Sequence, residues 1–270
     1  NHFKNNNDFQ LAISFYDSVL KNSSDLSLRA ESYLGRGIIN FNNNKTDESI
    51  DDYTFVIENF SKTKYFKQAL LGIQSIYVAN AQVDKYVDLI NSLPNFNVNK
   101  SEIDSLSYNA AFIKFSEGEY VYSRDNFINY LNDFSKIHNS SVENDGVFVN
   151  QANYFLAESY RRLSDSLNAF LYYENIIKSN SKEYLEVALM FCARHKYRLK
   201  EYSSSNLYYL AIEGIASSNS LRREAIIRLM YGFNFLENNS AFVYAQKVLS
   251  LDKNDNWLIS IANTIIAREE

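Results

Sequence analysis

The chain has 270 residues, of which 46% are hydrophobic and 22% are charged, with only 7 glycines and 1 proline. This hydrophobic content excludes a disordered polar chain, and the scarcity of turn-forming residues argues against an all-β sandwich or a Rossmann-type enzyme. The net charge of −5 gives no overall basic surface for nucleic acid. The composition therefore favours helices joined by short polar turns.

The start of the chain, NHFKNNNDFQ, has neither a methionine nor the pattern of a signal peptide. It also lies in the middle of a repeat, so we expect a fragment of a longer protein, with any targeting signal upstream. The single cysteine, Cys192, excludes an intramolecular disulfide framework. No apolar run approaches the roughly 18 residues that indicate a membrane span.

A unit of 36 or 37 residues recurs along the chain. Most instances have a polar turn, a small residue and then an aromatic residue four positions later, as in TDESIDDYTFVI and SDSLNAFLYYENII. The equivalent positions are Ala12, Ser49, Tyr86, Ser123, Ala169, Ser205 and Ala241, at spacings of 37, 37, 37, 46, 36 and 36 residues. A second helical pattern, such as ESYLGRGIINF or NYFLAESYRRL, precedes each turn. Each unit is therefore predicted to be a helix A, a short turn and a helix B.

The spacing of 46 residues predicts an insertion of about nine residues within SKIHNSSVENDGVFVN. We expect an array over residues 1–134 with a truncated first repeat, an inserted loop or hinge over 135–149, and a second array over 150–270 with a truncated last repeat. A tolerated surface insertion is favoured over a functional loop.

The repeat motifs resemble those of the tetratricopeptide repeat (TPR) family. The matching residues are Leu34, Gly35, Leu156, Ala157 and Tyr160 on helix A, and Ala169 and Tyr173 on helix B. The resemblance implies an all-α fold, a right-handed solenoid of about seven antiparallel helix hairpins. The units here are slightly longer than the usual 34 residues, and nearly all lack the closing proline of the family.

A more specific resemblance is to large periplasmic TPR proteins of Bacteroidota that are similar to the Tol–Pal coordinator. It is carried by the order of ALLGIQSIYVANAQVDKYVDL, YFLAESYRRL and YRLKEYSSSNLYYLAI. It implies a subunit of a periplasmic or outer-membrane-associated assembly or secretion complex. The alternative is a regulatory TPR domain of a cytosolic signalling or transcription protein.

The sequence predicts no catalytic residue, metal ligand or cofactor. It contains no glycine-rich phosphate loop, no HExxH and no GxSxG motif. Cys192 and His195 stand three residues apart, but Cys192 occupies the helix A position of Leu34, Leu71 and Leu156, which predicts a core thiol. The chain is thus interpreted as a non-catalytic scaffold, and no DNA partner is expected.

The predicted binding surface is a concave groove, because helix A lines that side of a solenoid of helix pairs. The repeat register assigns its basic back half to Arg161, Arg162, Arg194, Tyr197, Arg198 and Arg223. It assigns to the apolar front half Phe66, Ala69, Ile73, Ile76 and Tyr77 and then Tyr108, Phe112 and Phe115.

Arginine pairs bidentately with carboxylates and stacks on aromatic rings. The basic half is therefore predicted to bind an acidic or extended peptide, a C-terminal carboxylate or an acidic face of a protein partner within a larger hetero-complex. The alternative is that these arginines pair with Glu158, Glu186 or Glu224 and only brace the repeats.

Overall fold

The computed structural model describes residues 6–94, 96–137, 147–179, 182–251 and 254–269 of the chain. These residues form fourteen helices and no strand. The helices are α1 (Asn6–Asn22), α2 (Leu26–Asn42), α3 (Thr46–Asn59), α4 (Tyr65–Ala79), α5 (Val83–Ser92), α6 (Lys100–Ser116), α7 (Tyr120–Ile137), α8 (Val147–Arg162), α9 (Ser166–Ser179), α10 (Leu185–Arg198), α11 (Tyr202–Ile215), α12 (Asn219–Phe235), α13 (Ser240–Leu251) and α14 (Asn256–Glu269). The predicted all-α fold is confirmed.

The helices alternate between the predicted A and B types. The even-numbered helices carry the A pattern and the odd-numbered helices carry the B pattern, so the described part of the chain begins with a lone B helix and ends with a lone A helix. Within α2/α3, α8/α9, α10/α11 and α12/α13 the two helices pack along each other. Turns of three or four residues join these helices, as in antiparallel helix hairpins.

The chain divides into two compact units, Asn1–Glu117 and Gly118–Glu270. Unit 1 contains α1 to α6, and unit 2 contains α7 to α14. Within the predicted insertion over 135–149, residues 138–146 lie outside the described residues, and the flanking ones belong to α7 and α8. The division into arrays 1–134 and 150–270 stays a prediction.

The small residues at the start of the B helices pack against helix A, as the repeat predicts. Ser49 and Ser205 are fully buried, and each hydroxyl donates to a helix A carbonyl twelve residues earlier, Gly37 over 2.8 Å and Ala193 over 3.0 Å. Buried residues also occupy the equivalent positions Tyr86, Ser123, Ala169 and Ala241, whereas Ala12 on the lone helix α1 is half-buried. The close approach of the two helices therefore depends on this position.

Each turn from helix A to helix B contains one residue with a positive φ. These residues are Asn44, Ala81, Gly118, Ser164, Lys200 and Glu237, with φ between 50° and 80°. In five of the turns the next backbone N–H donates to the carbonyl five residues back, as from Gln82 to Tyr77 over 2.7 Å. This is the Schellman motif, which favours glycine at its left-handed position. Five of the six turns lack that glycine.

Hydrogen bonds between tyrosine and glutamate link neighbouring repeats. In unit 2 the Tyr208 hydroxyl on α11 donates to Glu174 on α9 over 2.8 Å. The Tyr244 hydroxyl on α13 donates to Glu213 on α11 over 2.7 Å. Each bond joins the B helix of one repeat to the B helix of the next.

The register predicted for α4 is wrong. Ala69, Ile73 and Ile76 were assigned to the groove, but they are buried in the core of unit 1. Leu71 was expected in the core, but it is 63% exposed. The face of α4 that packs against the neighbouring helices therefore differs from the face that the repeat alignment assigns.

Cys192 lies in the core of unit 2, as predicted. It is fully buried, and burial raises the pKa of its thiol to about 12. His195 is buried on the same helix, where its ring stacks on Phe170 with centroids 5.1 Å apart. In the described part of the chain, no three His, Cys, Asp or Glu side chains are grouped to hold a metal ion. None of the described helices combines the length and hydropathy of a membrane span.

Candidate protein-binding groove

Unit 2 contains a pocket of about 1310 Å³ that is lined mainly by its A helices α8, α10 and α12. Five of the residues predicted for the basic groove line this pocket, namely Arg161, Arg162, Arg194, Tyr197 and Arg198. The B helices contribute Ser166, Tyr173, Tyr202 and Tyr209. The pocket therefore brings together arginines of two successive repeats.

The pocket is electropositive although the chain as a whole is acidic. Its cationic side chains are Arg161, Arg162, Arg194, Arg198, Lys200 and Arg228, and its carboxylates are Glu158, Glu186 and Glu224. Six cations against three carboxylates leave an excess of three positive charges, in a chain with a net charge of −5. A concave surface with one excess sign of charge concentrates ligands of the opposite sign.

Arg161 is exposed and forms a network with the buried Glu158 and Tyr173. Its Nε and Nη2 donate to the Glu158 carboxylate over 2.9 and 2.5 Å, and the Tyr173 hydroxyl donates to the same carboxylate. Burial acts to raise the pKa of Glu158, but the hydrogen bonds from Arg161 and Tyr173 outweigh it, so this pKa lies below its ordinary value. Arg161 therefore stabilises a buried carboxylate of its own helix.

Arg194 pairs with a carboxylate of the next repeat. Its Nε and Nη2 donate to Glu224 on α12 over 2.8 and 2.5 Å. Glu186 instead accepts hydrogen bonds from the backbone N–H and the hydroxyl of Ser217, over 2.6 and 2.9 Å. Arg194 thus pairs across repeats, as the alternative interpretation has it, whereas Arg161 pairs with Glu158 within its own helix.

Three other cations, which we term the turn-end cations, lie where helix A gives way to the turn: Arg162, Arg198 and Lys200. All three are exposed, and none forms an ion pair or side-chain hydrogen bond with the residues that the structure describes. The Arg162 guanidinium lies 5.7 Å from the ring centroid of Tyr120. The turn-end cations therefore retain donors for an external anion.

Tyr209 is the one pocket residue with a buried polar atom that lacks a partner among the described residues. Its side chain is fully buried, and its hydroxyl makes no hydrogen bond. Burial raises the pKa of Tyr209 to about 12, so the hydroxyl keeps its proton at neutral pH. Tyr209 therefore presents a donor without an acceptor at the base of the pocket.

Four of the predicted binding residues do not line this pocket. Tyr108, Phe112 and Phe115 lie on α6 in unit 1, where Tyr108 is buried against Phe112 with ring centroids 6.3 Å apart. Arg223 lies exposed on α12. Any role of these residues in binding stays a prediction.

The register of α12 differs by one residue from the register that the B helices give. The left-handed turn residues Lys200 and Glu237 are 37 apart, whereas the helix B positions Ser205 and Ala241 are 36 apart. Helix α12 therefore follows α10 at a spacing of 37, which places Arg228 at the position of the pocket residue Phe191. When the A helices are aligned independently of the B helices, the sequence alone shows this one-residue difference in spacing.

The fold and pocket define an all-α helical-repeat protein with an electropositive groove on its A helices. No protein-family model matches the chain, and no curated protein matches it. Among solved structures, it is similar to the C-terminal part of a TPR repeat-containing protein from Cytophaga hutchinsonii, with 15% identity, a TM-score of 0.43, and coverage of 94% of this chain and 95% of the other. It is also similar to the TPR domain of P58(IPK), with 15% identity, a TM-score of 0.26, and coverage of 96% and 87%. Both are TPR proteins.

Proposed function

We propose that the chain is a non-catalytic interaction scaffold and that the unit 2 pocket binds an extended acidic segment of a partner protein. The observation that carries the proposal is the excess of three positive charges in a concave site of an acidic chain. The turn-end cations supply the donors, because Arg161 and Arg194 are engaged with Glu158 and Glu224. Arginine recognises carboxylates through two parallel N–H donors.

The dimensions of the pocket favour a peptide over a small metabolite. Its volume of about 1310 Å³ exceeds the roughly 300–1,000 Å³ typical of small-molecule sites. Aromatic side chains such as Tyr154, Phe191 and Tyr202 lie among the cations, and they offer apolar contacts to the backbone and side chains of an extended segment. An acidic chain with interspersed apolar residues matches both features.

The finer proposal is membership in a periplasmic or outer-membrane-associated assembly or secretion complex, as part of a larger hetero-complex. It is supported by the resemblance of the repeat order to large periplasmic TPR proteins. A regulatory domain of a cytosolic signalling or transcription protein is the alternative. Sequencing the complete gene and fractionating the native cells distinguish them, since a signal peptide or lipoprotein cysteine supports the envelope and a fused effector domain supports the cytosol.

The binding proposal is tested with a fluorescein-labelled octaglutamate peptide, followed by fluorescence anisotropy. We expect binding that weakens with added salt, and the double substitution Arg162→Glu/Arg198→Glu to weaken it at least about tenfold, because charge reversal in a binding site costs more than about 1.4 kcal/mol. The matched control is Lys62→Glu/Lys85→Glu, which makes the same charge change at exposed sites of unit 1. Equal losses in the two variants, or unchanged binding in the first, contradict the proposal.

A further inference from the structure

Two successive repeats of unit 2 have a buried tyrosine at the same position, but the hydrogen bonding of its hydroxyl differs between them. Tyr173 and Tyr209 are 36 residues apart, and both are fully buried. Tyr173 donates its hydroxyl hydrogen to Glu158 on the preceding A helix. The position equivalent to Glu158, again 36 residues further on, is Arg194. The second repeat therefore has an arginine where the first has the acceptor carboxylate.

Arg194 pairs with a carboxylate of the next repeat. Glu224 reaches from α12 to Arg194 and forms both hydrogen bonds to its guanidinium. Arg194, Glu224, Arg228 and Tyr209 all line the same pocket. Yet the Tyr209 hydroxyl makes no hydrogen bond within the described structure. Glu224 thus satisfies the arginine but leaves the phenol unsatisfied.

The pair between Arg194 and Glu224 is accessible enough to exchange. The Arg194 side chain is 51% exposed and the Glu224 side chain is 28% exposed, whereas Glu158 is only 10% exposed in the equivalent network. Ion pairs in contact with water contribute little free energy, so a second carboxylate competes with the first on nearly equal terms.

We infer that Glu224 is an internal competitor of the ligand and that a side-chain carboxylate of the bound segment replaces it on Arg194. The incoming carboxylate also accepts the hydrogen bond from Tyr209, just as Glu158 accepts the hydrogen bond from Tyr173. The inference rests on the proposed binding of an acidic segment. It assigns to Arg194 and Tyr209 the recognition of one carboxylate, whereas the turn-end cations attract the rest of the segment.

The test compares two substitutions that remove the same charge from the same pocket. Glu224→Gln removes the competitor, whereas Glu186→Gln removes a carboxylate that accepts hydrogen bonds from Ser217 and from no arginine that the structure describes. With the octaglutamate probe, we expect Glu224→Gln to bind about fivefold more tightly than Glu186→Gln, which corresponds to an exposed ion pair. In an Arg194→Gln background, the two variants should bind the probe equally.

A second pair of variants tests the phenol separately. Tyr209→Phe is expected to weaken binding of the probe about fivefold, the value of one hydrogen bond. Tyr231→Phe is the control, because Tyr231 also has a buried hydroxyl without a partner in the described structure but does not line the pocket. It should leave binding unchanged, and circular dichroism verifies the fold of each variant.

The outcomes separate this inference from the proposed function. If the unmodified chain does not bind octaglutamate, both are wrong. If Arg162→Glu/Arg198→Glu abolishes binding but Glu224→Gln and Glu186→Gln bind equally, the acidic-segment proposal stands and the role of Glu224 as competitor is overturned. If Tyr209→Phe behaves like Tyr231→Phe, the phenol takes no part in recognition and that half of the inference is overturned.

Discussion

Replacing Tyr173 and Tyr209 by phenylalanine removes the same oxygen atom from two fully buried side chains, and we expect opposite effects on the free energy of unfolding. The Tyr173 hydroxyl donates to the ionised Glu158, which is itself buried. A hydrogen bond to a charged group contributes about 1.5–3 kcal/mol, so Tyr173→Phe should lower the free energy of unfolding by about 2 kcal/mol.

The Tyr209 hydroxyl has no partner among the described residues and is equally buried. A buried hydroxyl without a hydrogen bond costs about 1–3 kcal/mol in mutational data, so Tyr209→Phe should be neutral or stabilising by about 1 kcal/mol. The ring is retained in both variants, which keeps the packing contribution constant.

Urea unfolding of the whole chain, followed by far-ultraviolet circular dichroism, measures both variants. Because repeat arrays unfold in steps when the coupling between repeats is weak, the midpoint of the transition and its slope are compared together. A similar destabilisation by both substitutions would refute the reasoning, since it would mean that the ring environment and not the hydroxyl partner decides the effect. A Tyr173→Phe variant with unchanged stability would refute it as well.

Three further predictions follow from the same contacts. Since the folded pKa of Glu158 lies below its ordinary value, its contribution to stability should be complete above about pH 4.3 and lost as the pH falls; the unfolding free energy of Glu158→Gln should therefore depend less on pH below that value. The buried Cys192 thiol should react with a disulfide reagent at about pH 8 only after unfolding in urea, because the thiolate is the reactive form. Glu237→Gly should stabilise the chain by about 0.5 kcal/mol, since Glu237 has a φ of 50°, whereas Asp51→Gly inside α3 should cost about 1 kcal/mol.

The sequence was most informative where each repeat uses the same residue for the same contact. Ser49 and Ser205 were recognised from spacing alone, because a small residue recurs at this position of helix B in most repeats. The period also placed Arg161 and Arg194 at one surface, because two A helices of successive repeats share a register.

The errors arose where packing, and not the period, decides the environment of a residue. Leu71 and Ile73 exchanged their predicted roles because the rotation of α4 about its axis depends on both neighbouring repeats. Arg223 was named and Arg228 was not, because the B-helix spacing of 36 residues differs by one from the spacing of 37 between α10 and α12. The sequence could not show which carboxylate pairs with Arg194, since Glu158, Glu186 and Glu224 were equally plausible partners.

The tyrosine–glutamate bonds between B helices have a consequence for cooperativity. In an array where each repeat contacts only its neighbours, the free energy of the interface sets how many repeats open together. The bond between Tyr208 and Glu174 couples α9 to α11, and the bond between Tyr244 and Glu213 couples α11 to α13. These B helices belong to the three hairpins whose A helices line the pocket. A segment held by α8, α10 and α12 would therefore protect these three hairpins as one block against local opening.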